Sequence, residues 1–292
     1  MICVGNPTVG GTGKTPTALA IARTAKRMGY RPGFVSRGYG RKSKGGAPIV
    51  VDPGSHSAGE VGDESILLAS EGATAVAVDR ASAARLLIAD GCDLIVMDDG
   101  FQSRRLFVDE SLLVIDRAAG IGNGQVLPAG PLRMPLATQL TAANTLIVID
   151  SGGTPAVTDV TRAAARAGCR IVRAESGLDE PERWRGRSVV AFCGLGDPSK
   201  FARALERSGA NVVAQWNFAD HHAYSLRDMR ALAHLAIERG GDLVTTEKDA
   251  ARLRHIDHDT AFEVAKLKLE FEPQALEAIV GRAVAAYQRR RR

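Results

Sequence analysis

Short apolar runs rich in β-branched residues alternate along the chain with longer segments whose apolar positions recur at helical spacing. This alternation predicts parallel strands joined by crossover helices, and hence an α/β fold with a doubly wound, mostly parallel sheet. The runs predict strands at Ile2–Val4, Arg31–Val35, Ile49–Val51, Ala75–Val78, Leu94–Met97, Leu112–Ile115, Thr145–Ile149 and Arg170–Arg173. The periodic segments predict helices at Thr17–Met28, Asp63–Ser70, Ala81–Ala89 and Val157–Ala167.

The pattern lapses into a polar stretch over 176–187, which contains Pro181 and Gly186, and a new series begins at Ser188. We therefore predict a larger domain of residues 1–180 and a smaller α/β domain of residues 181–292. The smaller domain has predicted strands at Val189–Cys193, Asn211–Gln215, Asp242–Thr245 and Phe262–Glu270, the last a half-exposed strand with alternating pattern. Its predicted helices are Lys200–Ser208, Leu226–Arg239 and a segment from Glu272 to about Tyr287.

The amino-acid composition limits the classes of protein to which the chain can belong. The chain has 292 residues, 45% of them apolar, which is enough for a large core. The four cysteines form no C-x-x-C pair, which favours a reducing, cytoplasmic environment. No apolar run approaches the ~20 residues that span a bilayer. The net charge of +5 makes an anionic partner plausible, but aromatic residues are only 5% and no stacking motif is visible, so a nucleic acid is not expected.

The strongest chemical signal is the run Gly10-Gly11-Thr12-Gly13-Lys14-Thr15, between the first predicted strand and a helix beginning near Pro16. A glycine-rich turn at a helix N-terminus directs amides at phosphates, Lys14 would reach the β and γ phosphates, and the Thr15 hydroxyl would bind Mg²⁺. The full phosphate-binding pattern has glycine where this chain has Thr8. The alternative is an ordinary glycine-rich turn.

A second acidic element follows the apolar run Leu94–Met97, where Asp98 and Asp99 are expected at the ligand-binding edge of the sheet. In phosphate-transferring enzymes such a carboxylate helps to hold Mg²⁺. The alternative is that the two carboxylates cap a helix.

Other clusters are ambiguous from composition alone. The loop Ser36–Lys42 would grip an anion or be a solvated basic loop, and Asp63 with Glu64 would be functional or would cap a helix. The segment Asp220-His221-His222 suits acid–base chemistry or metal binding, although no cysteine stands at zinc spacing. The run Gly194–Asp197 lacks the third glycine of a dinucleotide fingerprint and is interpreted as a plain turn.

Taken together, these segments resemble the tetraacyldisaccharide 4'-kinases, the lipid A kinases of Gram-negative bacteria, over nearly the whole chain. The matching segments are Gly5-Asn6, 9–16, 36–40, 61–64, Asp98-Asp99-Gly100-Phe101-Gln102, 128–133, Phe218-Ala219-Asp220-His221-His222 and Thr245-Thr246-Glu247-Lys248-Asp249. The resemblance implies transfer of the ATP γ-phosphoryl group to the 4'-hydroxyl of tetraacyldisaccharide 1-phosphate, at the cytoplasmic face of the inner membrane.

The resemblance also implies roles for individual residues. Lys14, the amides of Gly10–Thr15 and a Mg²⁺ ion would hold the ATP phosphates. Asp63 would be the base, with His221 paired to it from the smaller domain, which would contribute to the active-site cleft. The remaining roles are metal binding for Thr15, Asp98, Asp99 and Glu64, and substrate binding for Tyr39, Arg80 and Arg133.

Two departures from the family pattern stand out. Ser103 follows Gly-Phe-Gln where the family commonly has histidine, and Met1 lies directly before the first predicted strand, where the family carries a further apolar, basic segment. Peripheral membrane binding is therefore expected to be weakened. The rival enzyme class is another phosphate-binding-loop ATPase or ligase that acts on a small soluble acid. The rival outside enzymes is a nucleotide-gated binding protein.

Overall fold

The computed structural model describes residues 1–41, 45–103, 106–254 and 256–292. The chain forms two compact units, one of Met1–Glu175 with Leu269–Arg292 and one of Ser176–Lys268. The strands up to the first change of unit are β1 (Ile2–Gly5), β2 (Pro32–Ser36), β3 (Ile49–Val50), β4 (Thr74–Val76), β5 (Leu94–Asp98), β6 (Glu110–Asp116), β7 (Thr145–Asp150) and β8 (Arg170–Leu178). The helices between them are α1 (Lys14–Arg27), α2 (Ala58–Val61), α3 (Asp63–Ala69), α4 (Arg80–Ala89), α5 (Leu136–Thr141) and α6 (Thr158–Arg166).

The later elements follow a 3₁₀ turn at Pro181–Trp184. They are β9 (Ser188–Cys193), α7 (Ser199–Arg207), β10 (Asn211–Asn217), α8 (Leu226–Arg239), β11 (Asp242–Thr246), α9 (Glu247–Leu253), β12 (Glu263–Ala265), β13 (Leu267–Phe271) and α10 (Ala275–Arg291). None of the helices in the described ranges is long and apolar enough to cross a membrane.

In the described residues, the larger sheet has nine strands in the order β13-β8-β7-β6-β1-β5-β2-β4-β3. The pairings of β1 with β5 and β6 are parallel, and β3 runs antiparallel to β4. Successive residues of β6 pack on opposite faces, since Leu112 contributes to the core under α1 and α10, and Leu113 to the core under α5 and α6. Helices therefore cover both faces, and the predicted α/β class with a mostly parallel, doubly wound sheet is confirmed.

The second unit repeats this construction on a smaller scale. Over the residues that the structure describes, its sheet has the order β10-β9-β11-β12, and the pairings of β9 with β10 and β11 are parallel. Val189 packs with Phe201 of α7, and the adjacent Val190 packs with Met229 of α8, so this sheet is also covered on both faces. The smaller α/β unit is present as expected.

The predicted strand Phe262–Glu270 is wrong as a single element. β12 pairs with β11, whereas β13 lies beside β8 in the nine-stranded sheet, and the Lys266 carbonyl between them accepts a hydrogen bond of 2.9 Å from the Asp179 amide. Alternating polarity indicates that a segment is a half-exposed strand, but it does not show which strand each part of the segment pairs with.

The C-terminal boundary of the smaller domain also differs from the predicted 181–292. Residues 269–292 belong to the first unit, because the apolar face of α10 enters the core that contains Ile21 and Ala22 of α1. This face is formed by Leu276, Ile279, Val280 and Ala283.

Candidate active site

The carboxyl ends of β1, β5, β2 and β4 bring most of the predicted site residues to one edge of the larger sheet. β1 lies beside β5, with Val4 level with Asp98. Because parallel strands end at the same edge, the loop 6–13 after β1 and the carboxylates after β5 become neighbours. The segments after β2 and β4 carry Tyr39 and Arg80 to the same edge.

The loop after β1 leads directly into α1. Gly13 has a φ of 92°, and a Cβ atom there would lie 2.5 Å from Cδ1 of Ile149, so this position suits glycine alone. The Gly13 carbonyl accepts hydrogen bonds from the amide (3.0 Å) and the hydroxyl (2.8 Å) of Thr17, which fix the first turn. The loop thus ends at a helix N-terminus, the arrangement that binds phosphate.

Position 8, where the phosphate-binding pattern has glycine, is anchored differently. Thr8 is buried and forms an antiparallel bridge with Leu132, and the neighbouring Val9 amide donates to the Pro131 carbonyl at 2.9 Å. A β-branched residue suits this short extended contact. The departure from the motif therefore reflects an attachment of the loop to the segment that carries Arg133.

Asp98 ends β5 beside the start of α1. Its Oδ2 accepts a hydrogen bond of 2.9 Å from the Thr15 hydroxyl, and the residue is 2% exposed. Burial, and then the charge of Glu64, raise the pKa of Asp98 to about 7, against the lowering effects of Lys14 and Thr15. A cation bound next to this buried carboxylate would stabilise its ionised form.

Asp99 is surrounded by cationic side chains. Its Oδ1 lies 4.0 Å from Nζ of Lys14 and 3.0 Å from Nη1 of Arg133, and its Oδ2 accepts from Nη2 of Arg133 at 3.2 Å. Arg80 donates to the Asp99 carbonyl at 2.9 Å. The structure therefore brings Lys14 and Arg133 to the Asp99 carboxylate and Arg80 to its backbone carbonyl, and an anionic phosphate there would meet the same three cations.

Asp63 and Glu64 begin α3 in the same unit. Asp63 is 3% exposed and its Oδ1 accepts from the Glu64 amide at 3.0 Å. The charge of Glu64 is the second cause, after burial, of the raised pKa of Asp98. Tyr39 follows β2, with its side chain 67% exposed. Lys42, the last residue of the predicted anion-gripping loop, lies outside the described residues.

His221 belongs to the second unit, in the turn between β10 and α8. Its φ is 58°, and its Nδ1 lies 3.2 Å from Nη2 of Arg252. The neighbouring His222 lies 3.2 Å from the Asp228 carboxylate. Within this unit, the Asp220-His221-His222 segment is thus held by polar contacts on both sides.

Comparisons with known proteins identify the family of this chain. A family model described as tetraacyldisaccharide-1-P 4'-kinase matches residues 1–285. The chain belongs to the tetraacyldisaccharide 4'-kinase family. It is 48% identical to the tetraacyldisaccharide 4'-kinase of Methylorubrum extorquens over 271 residues, which are 93% of this chain and 81% of that protein. It is 45% identical to that of Rhizobium rhizogenes over 298 residues, 100% of this chain and 82% of the relative.

A solved structure agrees with this assignment. The crystal structure of LpxK from Aquifex aeolicus in complex with ATP has a TM-score of 0.71 and 27% identity, and the match covers 97% of this chain and 87% of that one. The resemblance in the sequence is thereby confirmed. As a 4'-kinase, the chain phosphorylates a hydroxyl of the lipid disaccharide in lipid A biosynthesis. This excludes the alternative of a ligase for a small soluble acid.

A 4'-kinase uses ATP with Mg²⁺, and the residues after β1 and β5 fit that ion. Across the described residues, Oδ1 of Asp98 is buried without a hydrogen-bond partner, while Oδ2 accepts from Thr15. Among the residues that the structure describes, no three or more His, Cys, Asp or Glu side chains form a group that could hold a metal. Mg²⁺ needs no such cage, because it keeps several waters and takes further oxygens from the nucleotide phosphates.

Sequence reasoning missed the residues that brace the loop. Gln139 of α5 is 1% exposed and donates to the carbonyls of Pro7 and Met134 at 3.1 and 2.8 Å. Gln102 donates to the Asn6 carbonyl at 3.3 Å and accepts from Arg133 at 3.3 Å. Gln102 stands in the Gly-Phe-Gln segment and could have been singled out there. Gln139 carries no local signal, since α5 itself was not predicted.

Proposed function

We propose that this 4'-kinase binds Mg·ATP at the edge formed by β1 and β5, with Asp63 as the base that activates the sugar hydroxyl. The observation that carries the proposal is the 2.9 Å contact between Thr15 and buried Asp98, beside Lys14 at the start of α1. Phosphoryl transfer depends on positioning and charge neutralisation more than on covalent chemistry. This arrangement supplies both.

In this proposal, the amides of 10–15 and Lys14 hold the β and γ phosphates. Thr15 and Asp98 hold the Mg²⁺ ion, which neutralises phosphate charge when bound, with Asp99 and Glu64 assisting. Arg133 and Arg80 exchange their contacts with Asp99 for anionic oxygens of ATP or the lipid, and Tyr39 contacts the substrate. Lys14 also stabilises the charge that develops during transfer, and it counts among the catalytic residues.

Asp63 accepts the proton of the 4'-hydroxyl as the sugar oxygen attacks the γ-phosphorus and the bond to the ADP oxygen breaks. His221, supplied by the smaller unit, assists by orienting a reacting group or by accepting the proton onward. Burial of Asp63 supports its role, because a carboxylate away from bulk water holds one orientation.

The test is transfer of labelled γ-phosphate from Mg·ATP to tetraacyldisaccharide 1-phosphate in detergent micelles. Asp63→Asn keeps the shape of the side chain and removes the base, and we expect turnover to fall about 10²-fold or more. ATP affinity should change little. Asp52→Asn, at an exposed turn of the same unit, is the matched control and should transfer label at the normal rate. Near-normal turnover of Asp63→Asn would show that Asp63 is not the base.

We further propose that the enzyme acts peripherally at the cytoplasmic face of the inner membrane, and that its anionic partner is lipid rather than nucleic acid. The net charge of +5 and the run Arg289–Arg292 at the end of α10 support this location. Each cation near an anionic surface contributes about 1 kcal/mol, weakened by salt. Replacing Arg289–Arg292 by serine should reduce cosedimentation with anionic vesicles, and neutral vesicles are the control. Unchanged binding would exclude this run from the contact.

A further inference from the structure

Two exposed apolar side chains lie beside the phosphate-binding loop and have no role in the function proposed above. Val9, the residue before Gly10, is 48% exposed, and Leu127, in the segment that leads to Arg133, is 50% exposed. Single exposed apolar residues are common on protein surfaces, whereas apolar side chains gathered next to a binding site indicate a contact with an apolar partner. The backbone pairing around Val9 and Leu127 shows whether they belong together.

Three short extended segments lie side by side at this edge of the first unit. Thr8 forms an antiparallel bridge with Leu132, and Val126 forms a parallel bridge with the same residue. The amide of Leu127 continues the second pairing, because it donates to the Leu132 carbonyl at 2.9 Å. The segment 131–133 is therefore the middle one of the three.

The alternation of side chains along these segments places Val9 and Leu127 on one face. Thr8 and Leu132 are 5% and 2% exposed, so the face that they share is turned toward the interior. Successive residues of an extended segment point to opposite faces, and Val9, Leu127 and Arg133 therefore share the outer face. The two apolar side chains thus flank the guanidinium that binds the carboxylate after β5.

The turn that carries Leu127 is fixed by its own hydrogen bonds. The Asn123 side chain donates to the Ala129 carbonyl at 2.8 Å and accepts from the Gln125 amide at 3.1 Å. A Cβ atom on Gly130 would overlap Oδ1 of Asn123, so a larger residue there would displace this side chain. An ordered turn therefore holds Leu127 in solvent, and an apolar partner binds there without first having to order the backbone.

The substrate of the family is an amphiphile, and this outer face has the two kinds of surface that an amphiphile needs. A tetraacylated lipid disaccharide has a polar sugar with an anionic phosphate and four hydrocarbon chains. Arg133 provides a cation for an anionic oxygen, and Val9 and Leu127 provide apolar surface directly beside it. A water-soluble acceptor would leave this apolar surface exposed.

We propose that Val9 and Leu127 form a contact for the acyl chains of the tetraacyldisaccharide substrate, next to the Arg133 cation. This role rests on the proposed function, because it assumes that the adjoining loop 10–15 is the ATP site. The contact binds the hydrocarbon of the substrate close to the phosphates that react. It sets the affinity for the lipid, whereas binding of ATP and the transfer step depend on other side chains.

The first test is kinetic and uses Leu127→Ser, which removes the apolar side chain and keeps the backbone amide. At a fixed detergent concentration, we expect the KM for tetraacyldisaccharide 1-phosphate to rise about tenfold, because the hydrocarbon chains lose the area that leucine covers. The KM for ATP should change less than about twofold. Leu127→Met keeps an apolar side chain and should restore the KM for the lipid.

The matched control is Ile88→Ser. Ile88 is 57% exposed and lies near the opposite end of α4 from Arg80, away from the edge where ATP is proposed to bind. This variant should leave both KM values unchanged. If Leu127→Ser had the same KM for the lipid as the control, the proposed contact would be wrong.

The second test observes the contact directly. The four cysteines of the chain are buried, so Leu127→Cys allows an environment-sensitive fluorophore to be attached at one exposed position. We expect its emission to shift to the blue with phosphatidylcholine vesicles that contain tetraacyldisaccharide 1-phosphate, and not with vesicles of phosphatidylcholine alone. The same label in Ile88→Cys should not respond. An equal shift with both vesicles would assign this face to the bilayer and overturn the inference, as would no shift with either.

Adding Asp63→Asn to the labelled protein separates this inference from the proposed function. Loss of turnover in Asp63→Asn, without a substrate-dependent shift at position 127, would overturn the acyl-chain contact alone. A substrate-dependent shift together with normal turnover in Asp63→Asn would support the contact and overturn the proposed base.

Discussion

Asp98, proposed to hold Mg²⁺, is buried at a cost to the stability of the folded protein. Its pKa of about 7 in the folded protein, raised by burial and by Glu64, exceeds that of an aspartate in an unfolded chain. The folded state therefore binds the additional proton, and the contribution of this group to stability is largest below pH 4. It declines as the pH rises from about 4 to 7, because the carboxylate must ionise inside the protein.

We predict that Asp98→Asn stabilises the protein without Mg²⁺ while it impairs catalysis. Asparagine can still accept the Thr15 hydroxyl but carries no charge, so at pH 8 the free energy of unfolding should rise by about 2 kcal/mol. Urea denaturation in a chelating buffer measures this difference. The gain should nearly vanish at pH 4, where Asp98 is protonated. If the variant were less stable than the parent protein at pH 8, the negative charge of Asp98 would not be destabilising the folded state.

Residues of the site differed in how far the sequence could reveal them. Lys14, Thr15 and Asp98 stand in local patterns, because a helix N-terminus and a strand end each have a recognisable sequence. Arg252 and Gln139 have no such pattern. Arg252 contacts His221 and Gln139 contacts Pro7, which are far away along the chain, and spacing along one sequence does not reveal such contacts.

At the scale of elements, predictions succeeded where one apolar period continued for a whole element. β5, β7 and α8 lie within one residue of their predicted bounds. The short elements α2, α5 and α9 were missed, because four to seven residues contain too little of a helical period. The run from Phe262 failed for another reason, since its two strands share one pattern of polarity but belong to different sheets.

The placement of α10 gives a prediction at this scale. Ile279 is 0% exposed in the core beneath α1, so Ile279→Ala should lower the free energy of unfolding by about 2–5 kcal/mol. Ile237 of α8 is 83% exposed, and Ile237→Ala should change it by less than about 0.5 kcal/mol. Urea denaturation of the two variants compares the same substitution in a buried and an exposed helix face. Similar small losses in both would contradict the packing of α10 in the first unit.

At the scale of the whole molecule, the chain leaves the first unit after Glu175 and returns to it at Leu269. The second unit is thus inserted between β8 and β13. The polar stretch that begins near residue 176 marks the position where the chain leaves the first unit. The position where the chain re-enters that unit has no such mark, because it lies inside a continuous strand pattern. Along the chain, the inserted segment is preceded by β8 and followed by β13.

Nucleotide binding should be measurable as an increase in the stability of the intact protein. A ligand that binds the folded state alone stabilises it by about 2.7 kcal/mol at a concentration of 100 times its Kd, so saturating Mg·ATP should raise the Tm. In Lys14→Ala this shift should be largely lost at the same concentration, because the phosphates lose the cation at the start of α1.

Lys26→Ala removes an exposed lysine from the same helix and is the control, for which the full shift is expected. Differential scanning fluorimetry with and without Mg·ATP measures all three proteins. If Lys14→Ala kept the full shift, the loop 10–15 would not be the nucleotide site. If ATP with a chelator gave the same shift as Mg·ATP, the Thr15–Asp98 pair would not hold the ion.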